Sequence, residues 1–134
     1  MPGEPFGEKA EKEHKYMNNR KIGTEQEKIA AQFLRAEGMQ ILETNFRCRQ
    51  GEVDIVGLHK GYLTFVEVKY RKNEKVGFPE EAVHHNKQIK ICKCAQVYLY
   101  LHRFHTDCPV RFDVVAICGE KIKWYQNAFP YNIV

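Results

Sequence analysis

Residues 51–71, GEVDIVGLHKGYLTFVEVKYR, are the stretch that decides the fold. Two runs rich in β-branched and apolar residues flank a short His59-Lys60-Gly61 connection, which predicts a β-hairpin. Asp54 lies in the first run, and Glu67 and Lys69 lie in the second. Such residues are depleted in strand interiors, because burying an unpaired charge is costly. Some partner must therefore compensate these charges, and a divalent metal together with a phosphate would do so.

The alternation of side chains along a strand groups the charged residues of the hairpin. Glu67, Lys69 and Arg71 share one face of their strand with Phe65. If the register sets Asp54 beside Glu67, two carboxylates converge, and Mg²⁺ or Mn²⁺ is typically held by such oxygen ligands. A metal supplies the activated water and the charge neutralisation that phosphodiester cleavage needs, and Lys69 would assist that water. The alternative is a set of cross-strand ion pairs on a solvated face.

A third acid, Glu27, lies on a helix predicted from about Thr24 to Glu37, with Gly38 as its stop signal. Glu27 flanks the apolar stripe of this helix and could reach over the sheet to the metal. Thr24-x-x-Glu27 also matches a capping box, in which Glu27 folds back onto the helix start. The residues alone leave both readings open. The predicted apolar stripe consists of Ile29, Ala30, Phe33 and Leu34.

The remaining pattern predicts an α/β domain with a central mixed sheet flanked by helices, in the order α-β-β-β-α-β-β. Residues 1–18 mix charges of both signs and are expected to form a disordered or loosely attached tail, and residues 19–134 a single domain. Asp113 is expected to form a buried ion pair with a neighbouring arginine rather than to bind metal. The other predicted elements are strands at 39–47, 52–58, 62–71, 110–117 and 122–125, and a helix from Pro79 to about His102.

Composition narrows the class of protein but does not name a substrate. No apolar run approaches the roughly 20 residues of a membrane span, so no membrane partner is expected. The N-terminal segment has no apolar core, so no signal peptide is predicted, and five cysteines without framework spacing indicate reduced thiols in the cytoplasm. The net charge of +4 permits a polyanionic partner. Bases beside the acidic strands are expected to contact phosphates, namely Arg47, Arg49, Arg71 and Lys72.

The chain from about Asn19 to Ile117 resembles the YraN-like family of predicted bacterial endonucleases, within the PD-(D/E)XK nuclease superfamily. That family is similar in fold to archaeal Holliday-junction resolvases. The motifs that carry the resemblance are Ile22-Gly23 with Glu27 and Ala30, Asn45-Phe46-Arg47, Gly51-Glu52-Val53-Asp54, Phe65-Val66-Glu67-Val68-Lys69-Tyr70-Arg71, Gly77 with Pro79, Glu81-Ala82-Val83, Lys87, and Arg111-Phe112-Asp113-Val114-Val115.

The resemblance implies a restriction-endonuclease-like fold and a metal-dependent nuclease. By resemblance, Asp54, Glu67 and Glu27 would bind the metal and Lys69 would be the motif lysine. The residue before Asp54 is Val53, at the position where the superfamily name has a proline. The YraN-like pattern also lacks that proline. Gln26 stands where the family usually has glycine, which changes how closely a ligand approaches the helix.

Three functions follow from these residues. The first is a Mg²⁺- or Mn²⁺-dependent endonuclease that acts on DNA, including branched DNA, rather than on RNA. The second is a nucleic-acid-binding module of the same fold with little or no catalysis. The third is a protein-interaction domain whose acids form structural ion pairs. The sequence contains no dedicated specificity domain, so a homodimer or a protein partner is expected to supply substrate selection.

Overall fold

The computed structural model describes residues 6–71, 83–104 and 107–131 and confirms the predicted order of elements, α-β-β-β-α-β-β. The predicted strand bounds agree with the observed bounds to within one residue at every end. The elements are α1 (Phe6–Ala36), β1 (Gln40–Cys48), β2 (Gly51–His59), β3 (Tyr62–Arg71), α2 (His85–Leu101), β4 (Val110–Cys118) and β5 (Lys121–Tyr125).

The five strands form one mixed sheet in the order β1-β2-β3-β4-β5. Only β3 and β4 pair in parallel, and the other neighbours pair antiparallel. Parallel neighbours need a crossover connection, and α2 lies in the segment that joins β3 to β4. The β2–β3 hairpin turns at Lys60 and Gly61, whose φ angles of 50° and 85° are both positive, as a type I′ turn requires. The predicted hairpin is therefore confirmed, and β3 is the central strand.

Helix α1 begins much earlier than predicted, at Phe6 instead of about Thr24. It therefore extends through most of the segment predicted as a tail. The charged segment before Thr24 has no apolar stripe, but its many Lys and Glu residues have good intrinsic helix propensity, which the periodicity argument overlooked. Residues 1–5 lie outside the described part of the chain, and the domain boundary at residue 19 stays a prediction.

The predicted stop at Gly38 is confirmed. Gly38 has φ 101°, and its N–H donates to the Arg35 carbonyl at 3.1 Å, while the Met39 N–H donates to the Leu34 carbonyl at 2.9 Å. These two bonds are the Schellman arrangement, which satisfies carbonyl groups at a helix end. The bonds direct the chain from α1 straight into β1.

Helix α2 begins at His85, so the helix predicted from Pro79 to about His102 is not continuous through Val83 and His84. His84 is extended, with φ −63° and ψ 153°, and it precedes the first helical residue. Pro79 itself and the predicted polar loop lie within residues 72–82, outside the described chain. No helix in the described ranges is long and apolar enough to cross a membrane.

Apolar side chains pack on both faces of the sheet and form two cores. Phe65 belongs to the core beneath α2, and its neighbour Val66 belongs to the core beneath α1, which confirms the predicted alternation along β3. In α1 the buried stripe contains Ala31, whereas Ile29 is 39% exposed, so the predicted stripe was wrong at Ile29. The buried members of the α1 core are Ala30, Ala31, Leu34, Met39, Ile55, Val66, Val115 and Ile117.

Candidate metal centre

Asp54 and Glu67 lie together on the hairpin, as the sequence predicted. The paired region of β2 and β3 ends at Ile55 and Val66, and Asp54 and Glu67 are the next residues of the two strands. The Val68 N–H donates a 2.8 Å hydrogen bond to Asp54 Oδ2, so the Asp54 side chain reaches across to β3 beside Glu67. The two residues are only 8% and 5% exposed. The fold therefore holds two neighbouring acids out of water.

The surroundings of Asp54 oppose its negative charge. Burial, followed by repulsion from Glu67, raises the pKa of Asp54 from an ordinary 3.8 to about 8. The hydrogen bond from Val68 and the positive charge of Lys87 both act in the opposite direction and lower this pKa. Without a further cation, the Asp54 carboxyl therefore retains its proton at neutral pH. A divalent cation bound to the pair would favour the ionised form and release that proton.

Two lysines contact Glu67 from different elements. Lys87 Nζ lies 2.5 Å from Glu67 Oε1, and Lys69 Nζ lies 3.6 Å from the same oxygen. Lys69 is on β3, two residues after Glu67, whereas Lys87 is in the first turn of α2. Burial lowers the pKa of Lys69, with smaller lowering effects from Lys87 and Arg71, although the Glu67 charge opposes them. The negative charge of Glu67 is therefore balanced by the two ammonium groups of Lys87 and Lys69.

Lys87 is the site residue that sequence reasoning missed as a partner of the acids. It was one of the motif positions of the YraN-like resemblance, which is the signal that could have identified it. Its pairing with Glu67 depends on how α2 packs against the sheet, and no local pattern reports that geometry.

Glu27 contributes to the site from α1, but more weakly. Because α1 begins at Phe6, Thr24 lies inside the helix and not at its first residue, so the capping-box reading is wrong. The half-buried Glu27 lies close enough for its charge to raise the pKa of Asp54, by less than Glu67 does. Glu27 therefore influences Asp54 through its charge from α1.

The acidic side chains in the described part of the chain suit a metal ion whose remaining ligands come from water and substrate. No three His, Cys, Asp or Glu side chains in residues 6–71, 83–104 and 107–131 lie together closely enough to hold a metal ion. Mg²⁺ is usually bound by one or two carboxylates, with waters and substrate phosphates as its other ligands. Asp54 and Glu67 satisfy that smaller requirement. The role of Glu27 as a third metal ligand stays a prediction.

Asp113 shows how this fold compensates a buried acid that has a structural role. Its carboxylate is fully buried and accepts hydrogen bonds from Arg111 Nε at 2.9 Å, Arg111 Nη2 at 2.8 Å and Trp124 Nε1 at 2.8 Å. The Asn127 N–H adds a fourth bond at 2.9 Å. The predicted ion pair of Asp113 with an arginine is confirmed. Asp54 has a single backbone donor in the described chain, which sets it apart from this satisfied acid.

The bases predicted to contact phosphates occupy different environments. Arg47 is exposed and pairs with the exposed Glu52, with Nε 3.3 Å from Oε2. Arg49 lies in the exposed turn between β1 and β2. Arg71, at the end of β3, is half-buried and donates from Nη1 to the Tyr70 carbonyl at 3.4 Å. Lys72 lies outside the described residues.

Comparison with known proteins identifies relatives over most of the chain. Residues 26–117 match the family described as Uncharacterised protein family UPF0102. A UPF0102 protein of Lachnoclostridium phytofermentans is 49% identical over 113 residues, which cover 84% of this chain and 96% of that protein. A second, from Caldanaerobacter subterraneus subsp. tengcongensis, is 43% identical over 86% of this chain and 99% of its own length. This chain therefore belongs to the UPF0102 family, which includes the YraN-like proteins.

Proposed function

We propose that this protein is a metal-dependent phosphodiesterase of the PD-(D/E)XK superfamily that cuts DNA, including branched DNA of the kind that resolvases bind. The observation that carries this proposal is the buried Asp54–Glu67 pair with Lys69 beside it. The raised pKa of Asp54 supports this proposal, because carboxyl groups whose pKa is strongly shifted by burial and a neighbouring charge cluster at functional sites. Asp113, by contrast, has its buried carboxylate compensated by Arg111, Trp124 and the Asn127 N–H.

Asp54 and Glu67 would hold Mg²⁺ or Mn²⁺, with Glu27 as the third metal-binding acid that the resemblance implies. A metal held there would supply the activated water that phosphodiester cleavage needs and would offset the negative charge that develops on the phosphate. Lys69, whose side chain is only 19% exposed, would orient that water and donate hydrogen bonds to the phosphate. Its buried position strengthens such contacts, since the local dielectric is lower than that of water.

Arg47, Arg49, Arg71 and Lys72 would contact phosphates away from the reacting one. Such contacts position a nucleic acid without reading its sequence. A homodimer or a protein partner would then supply selection among DNA structures. The proposed compartment is the cytoplasm, in keeping with the five free thiols of the chain.

One observation favours a second candidate, a nucleic-acid-binding module without catalysis. Glu67 already has two lysines beside it, and Asp54 is kept protonated, so the site is electrically compensated without any metal. In that case the lysines and arginines would bind phosphates, and the acids would only hold the lysines in place. The third candidate, a protein-interaction domain, predicts structural ion pairs and no nucleic-acid binding at all.

A cleavage panel separates the enzyme from both alternatives. The purified protein is incubated with linear, flap and four-way DNA, and with RNA of matched sequence, in Mg²⁺, Mn²⁺ or EDTA. We expect cleavage of at least one DNA that requires the metal and disappears in Asp54→Asn. Binding without cleavage would support the module, and neither binding nor cleavage would support the interaction domain. Cleavage retained by Asp54→Asn would indicate a contaminating nuclease.

A further inference from the structure

Among the described residues, Lys87 makes the closest charged contact to the acidic pair. Its Nζ is 2.5 Å from Glu67 Oε1, nearer than the 3.6 Å of the strand lysine, Lys69. The positive charge of Lys87 also acts on Asp54, whose pKa it lowers. Lys87 is therefore a cation in contact with Glu67 whose charge also reaches Asp54, in the region where a divalent ion would bind.

The two lysines differ in their freedom to leave Glu67. The Lys87 side chain is 45% exposed and projects from the first turn of α2, whereas that of Lys69 is 19% exposed on the central strand. A lysine ammonium on its four-carbon stem can move to a new partner with little rearrangement of the backbone. Lys87 is thus the lysine that can be displaced without disturbing the sheet.

We propose that Lys87 occupies the cation position beside Glu67 in the metal-free protein and moves to a substrate phosphate when a divalent cation binds. This inference rests on the metal site proposed above. A divalent ion on Glu67 repels an ammonium at hydrogen-bond distance from the same carboxylate. A substrate phosphate bound beside that metal would bring a negative charge within reach of the Lys87 side chain. Lys87 would then balance the negative charge of Glu67 until the metal and the substrate bind.

Competition between Lys87 and the metal is tested by titrating Mn²⁺ into the full chain. Lys87→Gln should bind Mn²⁺ about fivefold more tightly than wild type, because a competing positive charge has been removed. Lys90→Gln, an equal change of charge at an exposed position on α2, should stay within about twofold of wild type because exposed charges are well screened. Lys87→Arg, which keeps the charge, should resemble wild type. Equal Mn²⁺ affinity in Lys87→Gln and wild type would overturn the proposal.

The same titration distinguishes failure of this inference from failure of the proposed function. Mn²⁺ binding that wild type shows and Glu67→Gln loses, but that Lys87→Gln leaves unchanged, refutes only the role of Lys87. A lack of Mn²⁺ binding in both wild type and Lys87→Gln refutes the metal site and this inference with it. Binding by Lys87→Gln alone would show that the lysine blocks the site.

Movement of Lys87 to phosphate is tested by binding of duplex DNA, with EDTA or with Ca²⁺ as a metal that supports little cleavage. In EDTA, where Lys87 is engaged by Glu67, Lys87→Gln should bind as wild type does. With Ca²⁺, it should bind about tenfold to a hundredfold more weakly, as expected for one lost hydrogen bond to a charged group. Lys90→Gln should have the same small effect in both solutions. A loss from Lys87→Gln that is equal with and without Ca²⁺ would refute the exchange.

Discussion

Replacing Lys69 with methionine is expected to lower metal-dependent cleavage by about 10²- to 10³-fold, the usual effect of removing one donor to the transition state. Lys69 Nζ lies 3.6 Å from Glu67 Oε1, so its ammonium adjoins the proposed metal site. Methionine keeps most of the side-chain length and fills a position that is largely buried. The loss should appear in kcat more than in KM, because the contact forms mainly in the transition state. Rates from single-turnover kinetics on the best substrate of the cleavage panel would measure it.

Binding of the same substrate provides the matched measurement for Lys69. Affinity should change little, because most phosphate contacts are expected from other bases, and it should fall with added salt as counterions compete. Lys123→Met, at an exposed position on β5, controls for the loss of one positive charge. If Lys69→Met and Lys123→Met reduce cleavage equally, Lys69 has no special role in the reaction.

Asp54→Asn is expected to stabilise the metal-free protein by up to about 5 kcal/mol near pH 8, since each pKa unit corresponds to about 1.4 kcal/mol. Burial and the charge of Glu67 raise the pKa of Asp54 to about 8, so the folded state holds a proton that the unfolded chain releases. Asparagine is neutral at every pH and keeps an oxygen that accepts from the Val68 N–H. The substitution should therefore remove an electrostatic cost and retain the hydrogen bond.

The pH dependence of this gain has a definite sign. Below the ordinary pKa of 3.8, Asp54 is protonated in both states, and the two proteins should be equally stable. As the pH rises from there to about 8, only the unfolded wild type releases the proton, so wild type loses stability relative to Asp54→Asn. Above that range the gap should stop growing. Urea unfolding across this pH range measures it.

Glu52→Gln is the control for the stability of Asp54→Asn. Glu52 is on the same strand, but it is exposed and its partner is the exposed Arg47, so its replacement should change stability little at any pH. If Asp54→Asn destabilises the protein at high pH, Asp54 is a stabilising ion-pair member, as the interaction-domain alternative requires.

The parts of this structure that sequence predicted are those set by short-range patterns. The β2–β3 hairpin follows from alternating apolar runs around a turn, and this alternation alone sets Glu67 and Lys69 on one face. The stop of α1 follows from a glycine in a left-handed conformation at Gly38. The two acids could be anticipated together because both belong to one hairpin.

The parts that sequence did not predict depend on packing between distant elements or on weak local signals. Lys87 meets Glu67 only because α2 packs over the sheet after a long connection. The rotation of α1 buries Ala31 and exposes Ile29, which apolar character alone would have reversed. The early start of α1 lies in a charged segment without an apolar stripe, so periodicity could not locate it.

A calorimetric titration of Mn²⁺ into the metal-free protein tests the Asp54–Glu67 metal site most directly. It is run near neutral pH in two buffers of different ionisation enthalpy, so that proton release is measured together with binding. The site predicts binding of one ion to wild type with release of up to about one proton, because the metal requires Asp54 in its ionised form. The double variant Asp54→Asn with Glu67→Gln should show neither. Binding without proton release, or equal binding by wild type and the double variant, would contradict the account.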